Sequence, residues 1–196
     1  VALNEGTTAA PVFNKAKPLQ AASGPVDVFG APSPNFADWD NDGDLDLICG
    51  SFLDTITYFE NVGTRTDPRF ADGKTLMVDG KELHIELEML QVIAVDWDGD
   101  DDTDLVVGEE DGRVSWLECT GYADGQPTFK APRYFQQQAE SVKVGALATP
   151  YGIDWDADGD EDLIAGDTAG FLSFVENLDG GNPPKWAAPV RLAAAG

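Results

Sequence analysis

Short apolar runs recur along the chain between turn-forming residues, and no segment shows a sustained helical period. Three of these runs end in glycine and lie 58 residues apart, at residues 47–50, 105–108 and 163–166. Eight residues after each glycine begins a triplet of aromatic, apolar and glutamate residues, at residues 58–60, 116–118 and 174–176. This identical register indicates three copies of one structural unit.

The segments between these runs alternate apolar and polar residues, which is typical of half-buried β-strands. The alternating apolar residues are Val26 and Val28, then Leu83, Ile85, Leu87 and Met89, and then Val142 and Val144. Asp79-Gly80, between residues 75–78 and 81–87, predicts a two-residue hairpin turn. Each unit therefore carries about four short strands, and a repeat of roughly 40 to 60 residues with four strands is typical of a β-propeller blade.

A proline followed two residues later by an aromatic residue occurs four times, whereas the other elements of the unit occur three times. The four copies are residues 11–13, 68–70, 127–129 and 184–186. Residues 184–192 resemble residues 11–19, so the chain carries one extra strand-like segment.

Acidic residues are concentrated in three nine-residue loops. The 196-residue chain has 36 acidic and 12 basic side chains, a formal net charge of −24, and 17 of the acids lie in these loops. The loops are DWDNDGDLD at residues 38–46, DWDGDDDTD at 96–104 and DWDADGDED at 154–162. Because so acidic a surface repels phosphate backbones and anionic lipid, we expect no nucleic-acid partner. No apolar run is long enough for a spanning helix, so we expect no membrane insertion.

Carboxylates at positions 1, 3, 5 and 9 of a tight loop can converge on one point, where a cation offsets their repulsion. Position 6 supplies glycine for the turn and position 7 a carbonyl, as in an EF-hand loop, but the closing carboxylate stands at 9 and no helices flank the loop. The sequence therefore predicts three Ca²⁺ sites between strands. The predicted side-chain ligands are Asp38, Asp40, Asp42 and Asp46; Asp96, Asp98, Asp100 and Asp104; and Asp154, Asp156, Asp158 and Asp162. The predicted carbonyl ligands belong to Asp44, Asp102 and Asp160.

The second loop departs from this pattern because Asp101 stands where the other loops have glycine. Aspartate visits the left-handed region more readily than most residues, so the turn remains possible at some cost. Magnesium is disfavoured because it keeps water ligands and requires octahedral geometry. The loops contain no Cys or His, which argues against softer metals. A solvated acidic turn without an ion is the alternative, and three copies in one register argue against it.

The pattern DxDxDGxxD followed by an apolar strand and glycine resembles the FG-GAP/VCBS repeat, the blade unit of the integrin α-subunit propeller. The resemblance covers about residues 12–192. It implies an all-β chain of three β-propeller-type blades, each with four antiparallel strands, in an incomplete or open propeller. It also implies an extracellular or cell-surface setting, where millimolar calcium fills weak sites. Similar blades occur in fungal lectins and bacterial polysaccharide lyases, so the resemblance does not select one function.

The expected organisation is an N-terminal extension over residues 1–11, a single repeat domain over 12–192 and a tail over 193–196. Closed propellers use about four to eight blades, so three blades leave exposed strand edges and an uncovered apolar face at each end. Residues 1–10 are candidates for a strand added to a neighbour. We expect self-association, either as a six-blade ring of two chains or as a head-to-tail filament. A fragment of a longer propeller is the alternative.

Side chains outside the calcium ligands favour structural roles. Trp39, Trp97 and Trp155, at position 2 of the loops, are expected to pack between neighbouring units rather than to stack on sugars. The single histidine, His84, is predicted to be exposed on a strand, and no catalytic set forms around it. The glutamates that end the repeated triplets recur once in each unit, and we interpret them as structural; they are Glu60, Glu118 and Glu176. Both cysteines lie in apolar runs and are predicted to be free, buried thiols, at Cys49 and Cys119.

Two classes of function remain open. The first is a non-catalytic, calcium-stabilised structural or adhesive module, with a possible extracellular protein or glycan partner. The second is a carbohydrate-binding module or a propeller fragment of a larger polysaccharide-active enzyme. The lack of an evident catalytic set favours the first.

Overall fold

The repeated apolar runs form short antiparallel strands joined by tight turns. The computed structural model describes residues 1–86, 88–137, 140–181 and 183–193, and these residues are all-β, without a helix and so without one that could cross a membrane. The strands are β1 Gln20–Ala21, β2 Gly24–Pro25, β3 Ser33–Ala37, β4 Asp46–Gly50, β5 Thr57–Phe59, β6 Lys74–Thr75, β7 Met77–Val78, β8 Lys81–Glu82, β9 Gln91–Val95, β10 Asp104–Gly108, β11 Val114–Leu117, β12 Cys119–Ala123, β13 Gln126–Phe129, β14 Arg133–Tyr134, β15 Gln136–Gln137, β16 Glu140–Ser141, β17 Thr149–Ile153, β18 Asp162–Gly166, β19 Leu172–Val175 and β20 Val190–Arg191.

Three antiparallel sheets of four strands follow one another along the chain, and none closes into a barrel. We call them unit 1 (β3-β4-β5-β6), unit 2 (β9-β10-β11-β14) and unit 3 (β17-β18-β19-β20). Their first two strands pair in the same register, with Ser33 opposite Gly50, Gln91 opposite Gly108, and Thr149 opposite Gly166. The prediction of four strands in each 58-residue unit is therefore confirmed.

Two-stranded hairpins connect the units, and one of them tests the predicted Asp79-Gly80 turn. β7 and β8 pair on either side of this turn, and Asp79 and Gly80 have φ angles of 51° and 71°. The hairpin is confirmed, but its second strand is shorter than predicted because β8 ends at Glu82. Leu83 and Ile85 still reach the core from outside any strand, whereas Leu87 lies outside the described residues.

The second strand of each unit packs on both of its faces, because successive side chains of a strand point in opposite directions. In β10, Leu105 and Val107 share a buried cluster with Ile48 and Tyr58 of unit 1. The intervening Val106 belongs to a second cluster, with unit 3. This two-sided burial explains why the runs are apolar throughout rather than alternating.

The two ends of this array differ. At the N-terminal end, Leu19, Ala21, Val26 and Val28 pack over a buried cluster of unit 1 that consists of Leu47, Cys49, Phe59 and Phe70. At the C-terminal end, large apolar side chains of unit 3 are exposed to solvent. The prediction of an uncovered apolar face at each end is therefore wrong for unit 1, whose face is covered by the chain's own N-terminal segment. Residues 194–196 of the expected tail lie outside the described residues.

Both cysteines are free and buried, as predicted. Cys49 lies in β4 and Cys119 begins β12, so each side chain lies within the packed interior. Burial in apolar surroundings raises the pKa of the Cys49 thiol to about 11, and burial likewise raises the pKa of Cys119. Neither thiol is therefore activated as a nucleophile at neutral pH.

Candidate metal centres

Each acidic loop connects the first and second strands of its unit, so the three loops occupy the same place in the repeat. In unit 1, β3 ends at Ala37 and β4 begins at Asp46, which leaves residues 38–45 as the turn. The aspartate at position 9 of each loop is thus the first residue of the second strand, and it is at most 1% exposed in each unit (Asp46, Asp104 and Asp162).

The position 9 carboxylate holds the loop against the end of the third strand. In unit 1, Asp46 accepts hydrogen bonds from the backbone N–H groups of Trp39 at 2.8 Å and Asn61 at 2.6 Å. The same pair of bonds recurs in the other units, from Trp97 and Cys119 to Asp104 and from Trp155 and Asn177 to Asp162. The role of these three backbone N–H donors after the third strand was not predicted from the sequence. The constant interval of 15 residues to the position 9 aspartate is the signal that identifies them.

Burial and hydrogen bonding oppose each other at these carboxylates. Two backbone N–H donors favour the ionised form of Asp46, but desolvation outweighs them and raises its pKa to about 6. The same balance raises the pKa of Asp104 to about 6. Without a neighbouring cation, these two groups hold protons at a higher pH than an ordinary aspartate does.

Carboxylate oxygens converge in each loop, and positions 1 and 3 contribute every time. One oxygen from each of three aspartates lies within 4.8 Å of the others in the groups Asp38, Asp40 and Asp42; Asp96, Asp98 and Asp104; and Asp154, Asp156 and Asp158. The third member is therefore position 5 in the first and third loops and position 9 in the second. The remaining predicted side-chain ligands, Asp46, Asp100 and Asp162, lie outside these groups. The three carbonyl ligands stay a prediction.

The first loop contains buried carboxylate oxygens without a donor. Oδ1 of Asp38, of Asp40 and of Asp44 is buried and accepts no hydrogen bond from the described part of the chain. Burial and the nearby Asp42 raise the pKa of Asp40, and the same two causes raise the pKa of Asp44. Buried anionic oxygens normally have a compensating partner. The residues of this loop therefore fit a bound cation.

The remaining carboxylate oxygens organise the turn itself. The position 5 carboxylate accepts the backbone N–H of position 7 in all three loops, at 3.0, 3.0 and 3.2 Å. The position 1 carboxylate accepts N–H groups from the middle of the loop, for example from Gly43 to Asp38 at 3.0 Å and from Asp158 to Asp154 at 3.1 Å. These bonds fold the loop so that alternate carboxylates face one side.

Two backbone positions in each loop adopt the left-handed conformation. Position 6 has a positive φ in every copy, 95° at Gly43, 69° at Asp101 and 100° at Gly159, as the glycine pattern predicts. Position 4 also has a positive φ, 62° at Asn41, 75° at Gly99 and 64° at Ala157. The left-handed conformation at position 4 is not predictable from the repeat, because the residue there differs in each copy. Ala157 has neither the freedom of glycine nor the local bonding of asparagine, so it carries backbone strain.

The position 2 tryptophans have different surroundings. Trp39 and Trp97 are 0% and 8% exposed and pack between units, which confirms the prediction for these two. Trp155 is 54% exposed, so the prediction is wrong for the third loop. The physical reason is that the described chain places no fourth unit over the outer face of unit 3.

The histidine and the repeated glutamates, which are predicted to have no catalytic role, lie outside the loops. His84 is exposed, as predicted, but it lies beyond the end of β8, and its Nδ1 is 2.8 Å from a carboxylate oxygen of Asp54. Glu60 pairs with Lys74 at 3.0 Å and Glu118 pairs with Arg133 at 2.7 Å, so these glutamates link the third and fourth strands. These contacts agree with the structural interpretation of the repeated glutamate.

A cleft of about 520 Å³ lies between the second and third loops. Asp96, Asp98 and Asp100 line one side, and Asp160 and Glu161 line the other. Burial raises the pKa of Glu161, with further contributions from Asp154 and Asp162. The cleft is strongly anionic, and it suits cations or neutral polar molecules rather than anions.

Comparisons with known proteins return little. No protein-family model matches the chain, and no curated protein matches it. Among solved structures, a chain of the Photorhabdus luminescens Tc holotoxin pore is similar over 87% of this chain, with 20% sequence identity and a TM-score of 0.47. This chain spans 8% of the length of that toxin chain.

Proposed function

We propose that this chain is a non-catalytic calcium-binding repeat protein with a structural or adhesive role, in which the ions stabilise the units of a propeller-like array. The observation that carries the proposal is the convergence of three carboxylate oxygens in the same loop of all three units. An acidic turn on a solvated surface has no reason to recur in one register with its position 9 aspartate buried.

The donor set favours calcium over other metals. It consists of oxygen alone, and Ca²⁺ accepts six to eight oxygen ligands in flexible geometry at about 2.3–2.6 Å. Two residues with a left-handed backbone conformation make each loop a tight turn, and backbone carbonyl oxygens of such a turn can act as additional ligands. Magnesium fits less well because it retains water and requires near-ideal octahedral geometry.

Calcium would act on the fold rather than on a reaction. The folded loop holds several carboxylates close together, and their mutual repulsion costs free energy. A bound cation attracts all of them, so the net electrostatic energy of the loop becomes favourable. Binding to the native state alone adds RT ln(1 + [L]/Kd) for each site, about 2.7 kcal/mol when calcium exceeds Kd a hundredfold. Three such terms are comparable with the whole stability of a typical domain, about 5–15 kcal/mol.

Thermal unfolding in calcium, in chelator and in magnesium tests this proposal. We expect chelation to lower the melting temperature by roughly tens of degrees or to unfold the chain, and magnesium to restore little of the loss. Asp40→Asn should reduce the calcium-dependent shift, whereas Asp101→Asn removes the same charge from a side chain that is not a predicted ligand and should not. A melting curve that is the same in calcium and in chelator would contradict the proposal.

The proposal also includes an extracellular location and a mode of self-association. Sites built from exposed aspartates, such as Asp154, Asp156 and Asp158, suit the millimolar calcium found outside cells. The three sheets and their loops support membership of the FG-GAP/VCBS repeat family, an open β-propeller architecture and a secreted or cell-surface location. We further propose self-association as a closed ring or a head-to-tail filament.

A carbohydrate-binding module is the second candidate. The observation that favours it is the cleft between the second and third loops, which places polar side chains beside Trp97 and Trp116. A glycan array in calcium discriminates between the candidates. Saccharide-specific binding that is lost in Asp98→Asn would favour the second, and no binding above background would favour the first.

A further inference from the structure

An aromatic contact recurs between successive units. Trp39 of unit 1 contacts Phe129, in the hairpin between the third and fourth strands of unit 2, with ring centroids 5.5 Å apart. Trp97 of unit 2 contacts Trp186, between the third and fourth strands of unit 3, at 5.8 Å. In each case the position 2 tryptophan of one unit meets the aromatic residue of the Pro-x-aromatic element of the next. Both tryptophans are thereby removed from solvent.

Trp155 is the same residue of unit 3, and among the described residues its only ring contact is with Phe174 of its own sheet, at 6.1 Å. The side chains around it also face outward. Tyr151, Ile164, Phe174 and Val190 form one cross-strand row through the pairings Tyr151–Ile164, Ile164–Phe174 and Phe174–Val190. Tyr151 is 62% exposed and Val190 is 60% exposed. We call this row, together with Trp155, the C-terminal face.

The two central positions of the corresponding rows in the other units are buried by the next unit, whereas the fourth positions, Lys74 and Arg133, stay exposed. Ile48 and Tyr58 occupy the row in unit 1 and are 0% and 8% exposed beneath unit 2. Val106 and Trp116 occupy it in unit 2 and are 0% and 2% exposed in the cluster shared with unit 3. The C-terminal face is therefore the same unit-to-unit surface, seen twice within the chain with its partner in place.

The missing half of this interface is present at the other end of the chain. Residues 4–13 form a hairpin that repeats the hairpin at residues 61–70. In both, one asparagine side chain accepts two backbone N–H groups: Asn4 from Gly6 and Val12 at 3.0 and 2.9 Å, and Asn61 from Gly63 and Arg69 at 3.0 and 2.9 Å. In both, a bridge joins the asparagine to the aromatic residue, Asn4 to Phe13 and Asn61 to Phe70.

Phe13 is consequently the fourth member of the Pro-x-aromatic set. The other three are at most 6% exposed, namely Phe70, Phe129 and Trp186, whereas Phe13 is 64% exposed. Trp155 and Phe13 thus both lack the tryptophan-to-aromatic contact that the chain makes twice internally, and they lie at opposite ends of the array.

Charge favours their meeting. Residues 1–30 carry two acids, Glu5 and Asp27, and two bases, Lys15 and Lys17, within a chain of net charge −24. Both lysines are exposed. The C-terminal face is bordered by the third acidic loop, so a neutral segment with two exposed lysines is the part of a second copy that approaches it with least repulsion.

We propose that the C-terminal face is a docking surface for the N-terminal hairpin of a second copy of this chain, with Phe13 of one copy packed on Trp155 of the other. This contact gives the self-association of the proposed function a definite surface, and it rests on that proposal. The two surfaces differ, so the interface is heterologous, and an assembly that has not closed into a ring keeps one free surface of each kind.

Sedimentation velocity in calcium over a concentration series tests the contact with Trp155→Ser and Phe13→Ser. We expect each variant to lose the species larger than the 20.9 kDa monomer that the wild type forms, with self-association at least about tenfold weaker. Val62→Ser is the matched control, because Val62 is 56% exposed in the equivalent hairpin of unit 1 but belongs to neither surface. Tyr151→Ser repeats the test on the C-terminal face if Trp155→Ser does not fold, because its equivalent in unit 2, Ile93, packs against the cluster shared with unit 3.

Mixing the two variants tests the polarity. Phe13→Ser retains Trp155 and Trp155→Ser retains Phe13, so an equimolar mixture should form a one-to-one heterodimer and nothing larger. Association of Phe13→Ser alone at wild-type strength would overturn the proposal, because the C-terminal face would then be pairing with itself. A wild type that stays monomeric at every concentration would also overturn it. If that monomer still melts in a calcium-dependent manner, the docking proposal alone has failed.

Discussion

The backbone N–H of Asn61 donates a 2.6 Å hydrogen bond to Oδ1 of Asp46. Asp46 closes the acidic loop and Asn61 follows the third strand of the same sheet, so this bond joins the loop to the part of the unit that packs on its neighbour. Because Oδ2 of Asp46 accepts the N–H of Trp39, both carboxylate oxygens have structural partners. The loop is thus part of the folded unit rather than an appendage.

Replacing a position 9 aspartate by asparagine should destabilise the chain even without calcium, through a lost acceptor oxygen rather than a lost charge. Asp104→Asn replaces one of two acceptor oxygens by an amide donor at a fully buried site, where it faces a backbone N–H of Trp97 or Cys119. We expect a loss of about 2–4 kcal/mol in the free energy of unfolding, measured by urea denaturation in chelator. Asp101→Asn is the matched control and should change stability in chelator by less than about 0.5 kcal/mol. Equal stability of the two variants would refute the anchoring role.

Backbone strain in the loops predicts two stabilising substitutions. Ala157→Gly and Asp101→Gly place glycine at left-handed positions, and each should raise the stability of the calcium-loaded protein by about 0.5–1 kcal/mol, measured as a higher melting temperature. The reverse change, Gly43→Ala, should lower stability by about 1–2 kcal/mol. No atom beyond Gly43 and its two chain neighbours lies within 4 Å of the added Cβ, so backbone strain alone acts there. Stabilisation by Gly43→Ala would show that the position 6 conformation is not required.

The pH dependence of stability should reverse when calcium is removed. Burial raises the folded-state pKa of Asp46 and Asp104 from 3.8 to about 6. In the metal-free protein, their contribution is therefore fully present below about pH 4 and is lost as the pH rises through about 6. Bound calcium needs ionised ligands and competes with protons, so the loaded protein should gain stability over the same interval. Melting temperatures from pH 4.5 to 7.5 measure both trends, and parallel curves with and without calcium would contradict the prediction.

Equivalent tryptophans should differ in their effect on stability. Trp39→Ala removes a fully buried side chain that contacts Tyr58 and Phe129, and it should cost about 3–5 kcal/mol in the free energy of unfolding. Trp155→Ala at the same loop position should cost less than about 1 kcal/mol in the monomer, because half of that side chain is exposed. Chemical denaturation in calcium gives both values. Similar losses would mean that Trp155 is covered in the monomer.

The repeat and its strands were predictable because local patterns determine them. The 58-residue register, the Asp79-Gly80 turn and the acidic loops all depend on residues close together in the chain. The exposure of Trp155 was not predictable in this way, since its loop has the same Asp-Trp-Asp-x-Asp-Gly-Asp pattern as the loop of Trp39 and only the next unit distinguishes them. The covering of Phe70 by Ala21 and its neighbours was missed for the same reason.

The ligand geometry was predictable only in part. Positions 1 and 3 converge in every loop, as the spacing predicts, but the third member of the group changes from Asp42 to Asp104 between the first two loops. The second loop has glycine at position 4 and aspartate at position 6, whereas the other two loops have glycine at position 6 and another residue at position 4. The shared spacing of the aspartates therefore does not determine which third carboxylate joins those of positions 1 and 3.

The number of calcium ions bound per chain tests the central claim most directly. Equilibrium dialysis of chelator-treated protein against calcium, or native mass spectrometry in calcium, gives this number without reference to stability. We expect three ions per chain, two in Asp40→Asn and none in the triple variant Asp40→Asn, Asp98→Asn, Asp156→Asn. Binding of no calcium by the folded wild type, or an unchanged number in the triple variant, would contradict the account.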